Sequence, residues 1–292
     1  MSVVLECSNL VKNYGRHEAV RNLDMKLEEN TIYGLLGRNG AGKTTLLNML
    51  TGGVFPNFGH IEIAGNRLKE GDTPHGICFI RERNLFFEDA TVMETLQLAS
   101  KFHKNWDWAF ANELIKLFKL NAGKKMKQLS RGMESLVGNT IGLASRAPIT
   151  FYDEPVLGLD VLMRERFYKV LVQDYANYPR TILLSTHLID EIAKVVERVY
   201  IMESGTILME DEVDNIRNHS YVLVGNHEVM ESFIGDRQVF YMEDHVRGIL
   251  SAVYGTFTET DKMQANKLGI SIEGLPLQKF FSYLIEGGQH NE

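Results

Sequence analysis

The sequence predicts an α/β domain with a parallel core sheet, followed by a small α+β module. Three observations carry that expectation. Short apolar strand-like runs alternate with helical ones, the pattern of a parallel sheet with crossover helices. A glycine-rich loop, Gly37 to Gly42, joins one such strand to a helix. The net charge of −7 lies entirely in residues 211–292, which hold 13 Asp/Glu against 6 Lys/Arg, while residues 1–210 are balanced at 25 each. A chain of 292 residues also suits two domains at about 150 residues each. The boundary is therefore placed at residue 210, giving segments 1–210 and 211–292.

The elements follow in order. Val3 to about Ile63 alternates apolar runs with turns and reads as strands. Within it, Thr31 to Leu36 is an apolar strand, and Lys43 to Leu50 a helix stopped by Gly52-Gly53. From about 88 to 146 the spacing becomes helical. Val92, Thr95, Leu96 and Ala99 share one face, and Leu114, Ile115, Leu117 and Phe118 begin another. Strands return at Ile149–Tyr152, Thr181–Ser185 and Val199–Met209, the last folded back at Glu203-Ser204-Gly205, with a helix over Val161–Tyr175. The tail offers three strand-like runs, Tyr221–Val224, Val239–Met242 and Leu268–Ile272, and a final helix, Leu277–Ile285.

Composition excludes several classes. Hydrophobic residues at 44% and charged residues at 24% are ordinary for a globular chain, not a disordered or fibrous one. The longest charge-free stretch, Thr44 to Ile61, is broken by glycines and Pro56, so no bilayer span is expected. No basic, long-apolar leader opens the sequence, and two cysteines, Cys7 and Cys78, make neither a disulfide framework nor a zinc site. The expected compartment is reducing and cytoplasmic. An acidic tail has the wrong sign for nucleic acid or anionic lipid.

Gly37-Arg38-Asn39-Gly40-Ala41-Gly42-Lys43-Thr44, followed by Thr45, matches the phosphate-loop pattern. Its glycines let main-chain N–H groups turn toward phosphates, and the helix N-terminus adds positive potential. Lys43 can bridge β- and γ-phosphate oxygens, and Thr44 offers a hydroxyl to Mg²⁺. Ile149 to Glu154 is an apolar strand ending in two acids. Asp153, at the strand end beside that loop, suits Mg²⁺, and Glu154 can polarise water.

Leu129-Ser130-Arg131-Gly132-Met133 precedes a helix, with Ser130 lying 23 residues before Asp153. This order and spacing resemble the ATP-binding subunit of ATP-binding-cassette (ABC) transporters, whose signature is Leu-Ser-Gly-Gly-Gln. Tyr14 matches the adenine-stacking aromatic, Glu154 to Asp160 the acid-to-D-loop segment, and His187 the switch histidine, 34 residues after Asp153. The Q-loop glutamine position holds Glu82. Residues 3 to about 210 are covered.

The resemblance implies a P-loop ATPase domain with a parallel core sheet, an antiparallel β subdomain and a helical subdomain over about 88–146. It implies ATP and Mg²⁺ as cofactors. ATP is bound by Tyr14, Gly37, Arg38, Asn39, Gly40, Ala41, Gly42, Lys43, Thr44 and Thr45. Thr44, Glu82 and Asp153 attend the metal, and Glu154, His187 and Lys43 are catalytic. Ser130, Arg131, Gly132 and Met133 act in trans on a second ATP-binding subunit, and Asp160 couples the two sites. A separate multi-span membrane subunit is expected, contacted through the loop from Glu82 to Asp89 that carries Phe86 and Phe87. The Arg/Met-type signature and acidic C-terminal module resemble bacterial export subunits for peptides, antibiotics or lipids, peripheral on the cytoplasmic face of the membrane. A soluble ABC-type ATPase outside transport, or a regulatory subunit with weak hydrolysis, are the alternatives.

Overall fold

Alternating burial builds the first sheet. In β1 (Val3–Tyr14) and β2 (His17–Glu28), Leu5 and Cys7, and Leu23, Met25 and Leu27, point inward while their neighbours face water. This is seen in a computed structural model that describes residues 2–289. After β2 come β3 (Ile32–Leu36), α1 (Lys43–Leu50), β4 (Phe58–Ile63), β5 (Asn66–Arg67) and β6 (Ile77–Ile80). The helical subdomain holds α2 (Val92–Ser100), α3 (Trp108–Leu117), a 3₁₀ turn at Met126–Gln128 and α4 (Arg131–Ala144). The chain returns through β7 (Ile149–Asp153), α5 (Val161–Asn177), β8 (Thr181–Thr186), α6 (Ile189–Ile192), β9 (Arg198–Glu203) and β10 (Thr206–Glu212). The tail contains α7 (Val213–His219), β11 (Ser220–Gly225), α8 (His227–Ile234), β12 (Gln238–His245), β13 (Gly248–Tyr254), α9 (Glu259–Leu268), β14 (Ser271–Gly274) and α10 (Leu277–Gln289).

The chain divides into two units. One runs to Leu188 and resumes over Val195–Glu210; the other joins Ile189–Lys194 to the chain from Asp211 onward. In the first unit β2-β1-β4-β5 form an antiparallel sheet. A six-stranded sheet follows the order β10-β9-β3-β8-β7-β6, with β9, β3, β8, β7 and β6 mutually parallel. Strands β3, β7 and β8 are buried throughout, as expected for a parallel sheet covered on both faces. Between the sheets, Leu23, Met25 and Leu27 pack with Leu35, Leu46, Leu47, Met49 and Phe151. Both cysteines are buried free thiols, and burial pushes each up to about 12.

The helical subdomain starts on sequence-encoded caps. Thr91 and Glu94 form a reciprocal capping box on α2, and Asp107 caps α3. The second helical face differs from expectation: Leu114 lies in the last turns of α3, which begins at Trp108. The helix stops because Lys119 adopts a left-handed backbone conformation, φ 54°.

A buried charge network fastens this subdomain to the core. Asp174 of α5 is paired with Arg146 and, at 2.8 Å, with Arg180. Arg146 also reaches Asp107 at 3.1 Å and lies 3.7 Å above the Tyr178 ring. Such a pair is costly to form but more costly to break, because one truncation strands a buried charge.

The second unit is a four-stranded antiparallel sheet, β12-β13-β11-β14. Leu223, Ile249 and Val253 from the sheet pack with Met230, Phe233 and Ala265 of α8 and α9. Helix α10 stacks Tyr283 on Tyr241 and Phe280 edge-on to Phe240. The run Leu268–Ile272 is not one strand. Leu268 ends α9, Gly269 caps it in the left-handed region, and the strand begins at Ser271. Strand β13, with α7, α8 and α9, is additional to the sequence expectation.

Asp174→Ala is expected to lower unfolding stability by about 3–5 kcal/mol, the usual cost of breaking a buried ion pair. Denaturant titration followed by Trp106 and Trp108 fluorescence measures it. A cost below about 1 kcal/mol would show that the network does not fasten the subdomain.

Candidate phosphate-binding site

Four parallel strands deliver their chemistry to the same edge of the sheet. After Leu36, β3 runs into the phosphate loop; β7 ends on Asp153; β8 ends on Thr186, just before His187; β6 ends two residues before Glu82. The carboxyl ends of parallel strands are where α/β sheets bind ligands. The register pairs Leu36 with Thr186 and Asp153 with Ser185. A cavity of about 490 Å³ opens there, lined by His17, Ala19, Asn39, Gly40, Gly42, Lys43, Thr44, Thr45, Glu82, Asp153, Glu154, Leu157 and His187.

The loop's glycines are required by space. Gly42 holds φ +105°, and a Cβ there would lie 2.3 Å from the Ala19 carbonyl. A Cβ on Gly37 would lie 2.5 Å from the Met202 carbonyl. The loop is thereby pressed between β2 and β9. Lys43 is buried, and its ammonium donates to the carbonyls of Gly37 at 2.8 Å and Arg38 at 3.2 Å. Burial pulls Lys43 below the ordinary lysine range, opposed by the Glu154 and Asp153 carboxylates.

Asp153 accepts from Thr44 Oγ1 at 2.7 Å and from Ser185 Oγ at 3.0 Å. Burial pushes its carboxyl above the ordinary range, against those two hydrogen bonds. Glu154 sits at φ +50°, a strained setting for a non-glycine residue. Its carboxylate accepts from Thr186 Oγ1 at 3.1 Å and meets His187 Nδ1 at 3.0 Å. Its backbone N–H donates to the Ser185 carbonyl at 2.9 Å. The strain is held by β8 on one side and by the following turn, where Leu157 N–H donates to the Glu154 carbonyl, on the other.

These residues fit Mg²⁺. Thr44 and Asp153 present hard oxygen donors together at one wall. Among the described residues no group of three or more His, Cys, Asp or Glu forms a metal cage. A cation held by one carboxylate and one hydroxyl, completed by phosphates and water, is the Mg²⁺ habit.

The remaining sequence-selected residues fall in three places. Tyr14 is half exposed at the end of β1, outside the cavity wall, with Lys12 Nζ 5.4 Å from its ring centre. Ser130, Arg131, Gly132 and Met133 also lie outside their own chain's cavity wall. Ser130 caps α4, accepting from Met133 N–H at 3.4 Å. Gly132 leaves no room for a side chain, since its Cβ would lie 2.5 Å from the Gly158 carbonyl. Helix α4 is tied to the acid-bearing loop by Asn139 Nδ2 to the Pro155 carbonyl, 2.8 Å. Asp160 caps α5 through Met163 N–H at 2.9 Å. Sequence reasoning missed His17, Ala19 and Leu157 in the wall, and Ser185 and Thr186 behind the acids. The hydroxyls stood beside His187 at the end of an apolar strand, a readable signal. Trp106 and Trp108 wall a separate cavity of about 960 Å³ with Arg146, Tyr178 and Arg180.

Comparison with known proteins agrees with this fold. Residues 20–157 match the family model described as ABC transporter. The bacitracin transport ATP-binding protein BcrA of Bacillus licheniformis is 28% identical, covering 99% of each chain. An uncharacterized ABC transporter ATP-binding protein of Bacillus subtilis, YcbN, is 29% identical over 82% of this chain and 80% of its own. A solved ATP-binding subunit of an ABC transporter superposes with a TM-score of 0.66 at 26% identity, over 73% of this chain and 92% of that one. The first unit thus has the fold of an ATP-binding cassette. The chain is similar to ATP-binding subunits of ABC transporters, and that similarity supports ATPase activity.

Because burial raises the Asp153 pKa, its charge opposes folding. The stability it contributes is present when the carboxyl is protonated and is lost as pH rises through the native pKa. Asp153→Asn is therefore expected to raise the melting temperature of the nucleotide-free protein at pH 7 by about 2–4 °C. It is expected at the same time to remove the dependence of ATP affinity on magnesium. Scanning calorimetry and nucleotide titration with and without magnesium check both. A lower melting temperature would contradict the burial argument.

Proposed function

We propose that this chain energises a bacterial exporter. Two ATP-binding subunits close on two ATP molecules and drive a separate multi-span membrane subunit, with this chain peripheral on the cytoplasmic face. The observation that carries the reading is Glu154. It is buried, strained, and clamped through both carboxylate oxygens by Thr186 and His187. A carboxylate fixed in this way suits accepting a proton from attacking water. Lys43 and the loop amides supply positive potential where charge builds on the transferred phosphoryl group. Magnesium, held by Thr44 and Asp153, would supply further positive charge to the phosphates.

Closure with a second subunit is supported by the signature. Ser130, Arg131, Gly132 and Met133 start a helix but do not wall their own cavity, so a second chain's nucleotide is the ligand they suit. Tyr14, exposed beside the β1–β2 turn, suits stacking on adenine. Asp160, at the head of α5, suits coupling between sites. Leu85 and Phe87 are 92% and 70% exposed in the Glu82–Asp89 loop, which suits contact with the membrane subunit. No helix among the described residues is long and apolar enough to cross a membrane. The near full-length match to the bacitracin transport protein, including the second unit, supports a peptide, antibiotic or lipid-like cargo. The altered Arg131 and Met133 favour one alternative, a regulatory subunit with weak hydrolysis.

Glu154→Gln is expected to bind ATP with near wild-type affinity and to lower turnover about 100-fold or more. Steady-state ATPase assays with and without the membrane partner, paired with nucleotide titration, check it. Wild-type turnover in Glu154→Gln would refute the base assignment, and turnover indifferent to the membrane partner would favour a cassette outside transport. Lys43→Ala is expected to weaken ATP binding at least about ten-fold, as loss of a buried charge partner to phosphate would. Unchanged affinity in that titration would refute the role of Lys43.

A further inference from the structure

Two positions depart from the family pattern in charge, and the structure brings them together. Glu82 stands where the pattern has glutamine, and Arg131 where it has glycine. The Arg131 guanidinium, through Nη2, donates to Glu82 Oε1 across 49 residues of sequence. Glu82 lines the phosphate cavity with Lys43, Asp153 and Glu154. That wall thus carries three carboxylates and one lysine ammonium, an unfavourable field for a triphosphate. Glu82 is close enough to bias Lys43 toward its charged form.

The location of Arg131 has a cost of its own. It occupies the first turn of α4, where the helix dipole disfavours a cation. Its side chain is about half exposed, and so is that of Glu82. An ion pair this exposed contributes little to folding. What it changes is the local field: one added carboxylate at the phosphate wall is matched by one added guanidinium.

We infer that Arg131 is a positioning residue for nucleotide binding in its own chain, neutralising Glu82 and holding it aside so that the carboxylate does not repel the incoming triphosphate. The inference deepens the ATP-binding reading of this cavity and rests on it. The action is in cis and is separate from any contact Arg131 makes with a second subunit's nucleotide. The pair replaces two neutral residues with a self-cancelling couple, so Glu82 without Arg131 is worse for a triphosphate than both together.

A double-mutant cycle tests it. Magnesium-ATP carrying a fluorescent ribose label is titrated into wild type, Arg131→Ala, Glu82→Gln and the double variant, across a protein dilution series and at low and high salt. Arg131→Ala is expected to weaken binding about five-fold in the wild-type background and less than about two-fold once Glu82 is Gln. The weakening is expected to be independent of protein concentration and to shrink with salt. Arg131→Gln, which keeps the stem and removes the charge, is expected to follow Arg131→Ala, and serves in its place if thermal unfolding shows the alanine variant unfolded. Equal weakening in both backgrounds, or weakening seen only at high protein concentration, would overturn the inference while leaving ATP binding intact. Failure of the wild-type protein to bind the nucleotide would overturn the ATP-binding reading itself.

Discussion

A buried ammonium facing buried carboxylates is the constraint on which the first unit turns. Lys43 is held by the carbonyls of its own loop, and Asp153 and Glu154 stand opposite at the end of β7. Neither side would persist alone in an apolar setting. Each is kept by packing that has no other evident purpose. Gly37 and Gly42 are pinned by β9 and β2, Ser185 and Thr186 hydrogen-bond the acids, and Leu157 anchors the turn beyond Glu154. The result is a backbone held in place by packing around two side chains, Lys43 and Thr44, whose present partners are their own loop carbonyls and Asp153.

Stability is given up at this centre and recovered elsewhere. The raised Asp153 pKa, the positive φ of Glu154 and the depressed Lys43 are local costs. The compensations are apolar: the fully buried β3 and β8, and the packing of Leu46, Leu47 and Phe151 between the two sheets. The Arg146–Asp174–Arg180 network does different work. It fixes where the helical subdomain sits, and so where α4 presents the signature against the loop at Gly158.

What could be read from the sequence was what spacing dictates locally. Lys43–Leu50 emerged with the bounds expected, because a glycine pattern begins it and Gly52-Gly53 ends it. The strand to Asp153 was legible as an apolar run ending in acids. Relations between distant segments were not. The register that sets Ser185 beside Asp153, the approach of Arg131 to Glu82, and the burial of Asp174 between two arginines leave no mark in any one segment. The tail was harder still. β13 is a central strand, apolar over Ile249, Leu250, Ala252 and Val253, and so lacks the clean alternation that marks a half-buried strand. Gly269, by contrast, was a visible signal of a helix end inside what read as a continuous strand.

The account stands or falls on where Lys43 goes when nucleotide binds. A crystal structure of the protein with magnesium and a non-hydrolysable ATP analogue decides it. The account predicts that Lys43 Nζ leaves the Gly37 and Arg38 carbonyls for phosphate oxygens, with Thr44 Oγ1 turned from Asp153 toward the metal. A nucleotide bound elsewhere, or a lysine still on its loop carbonyls beside an ordered triphosphate, would contradict it.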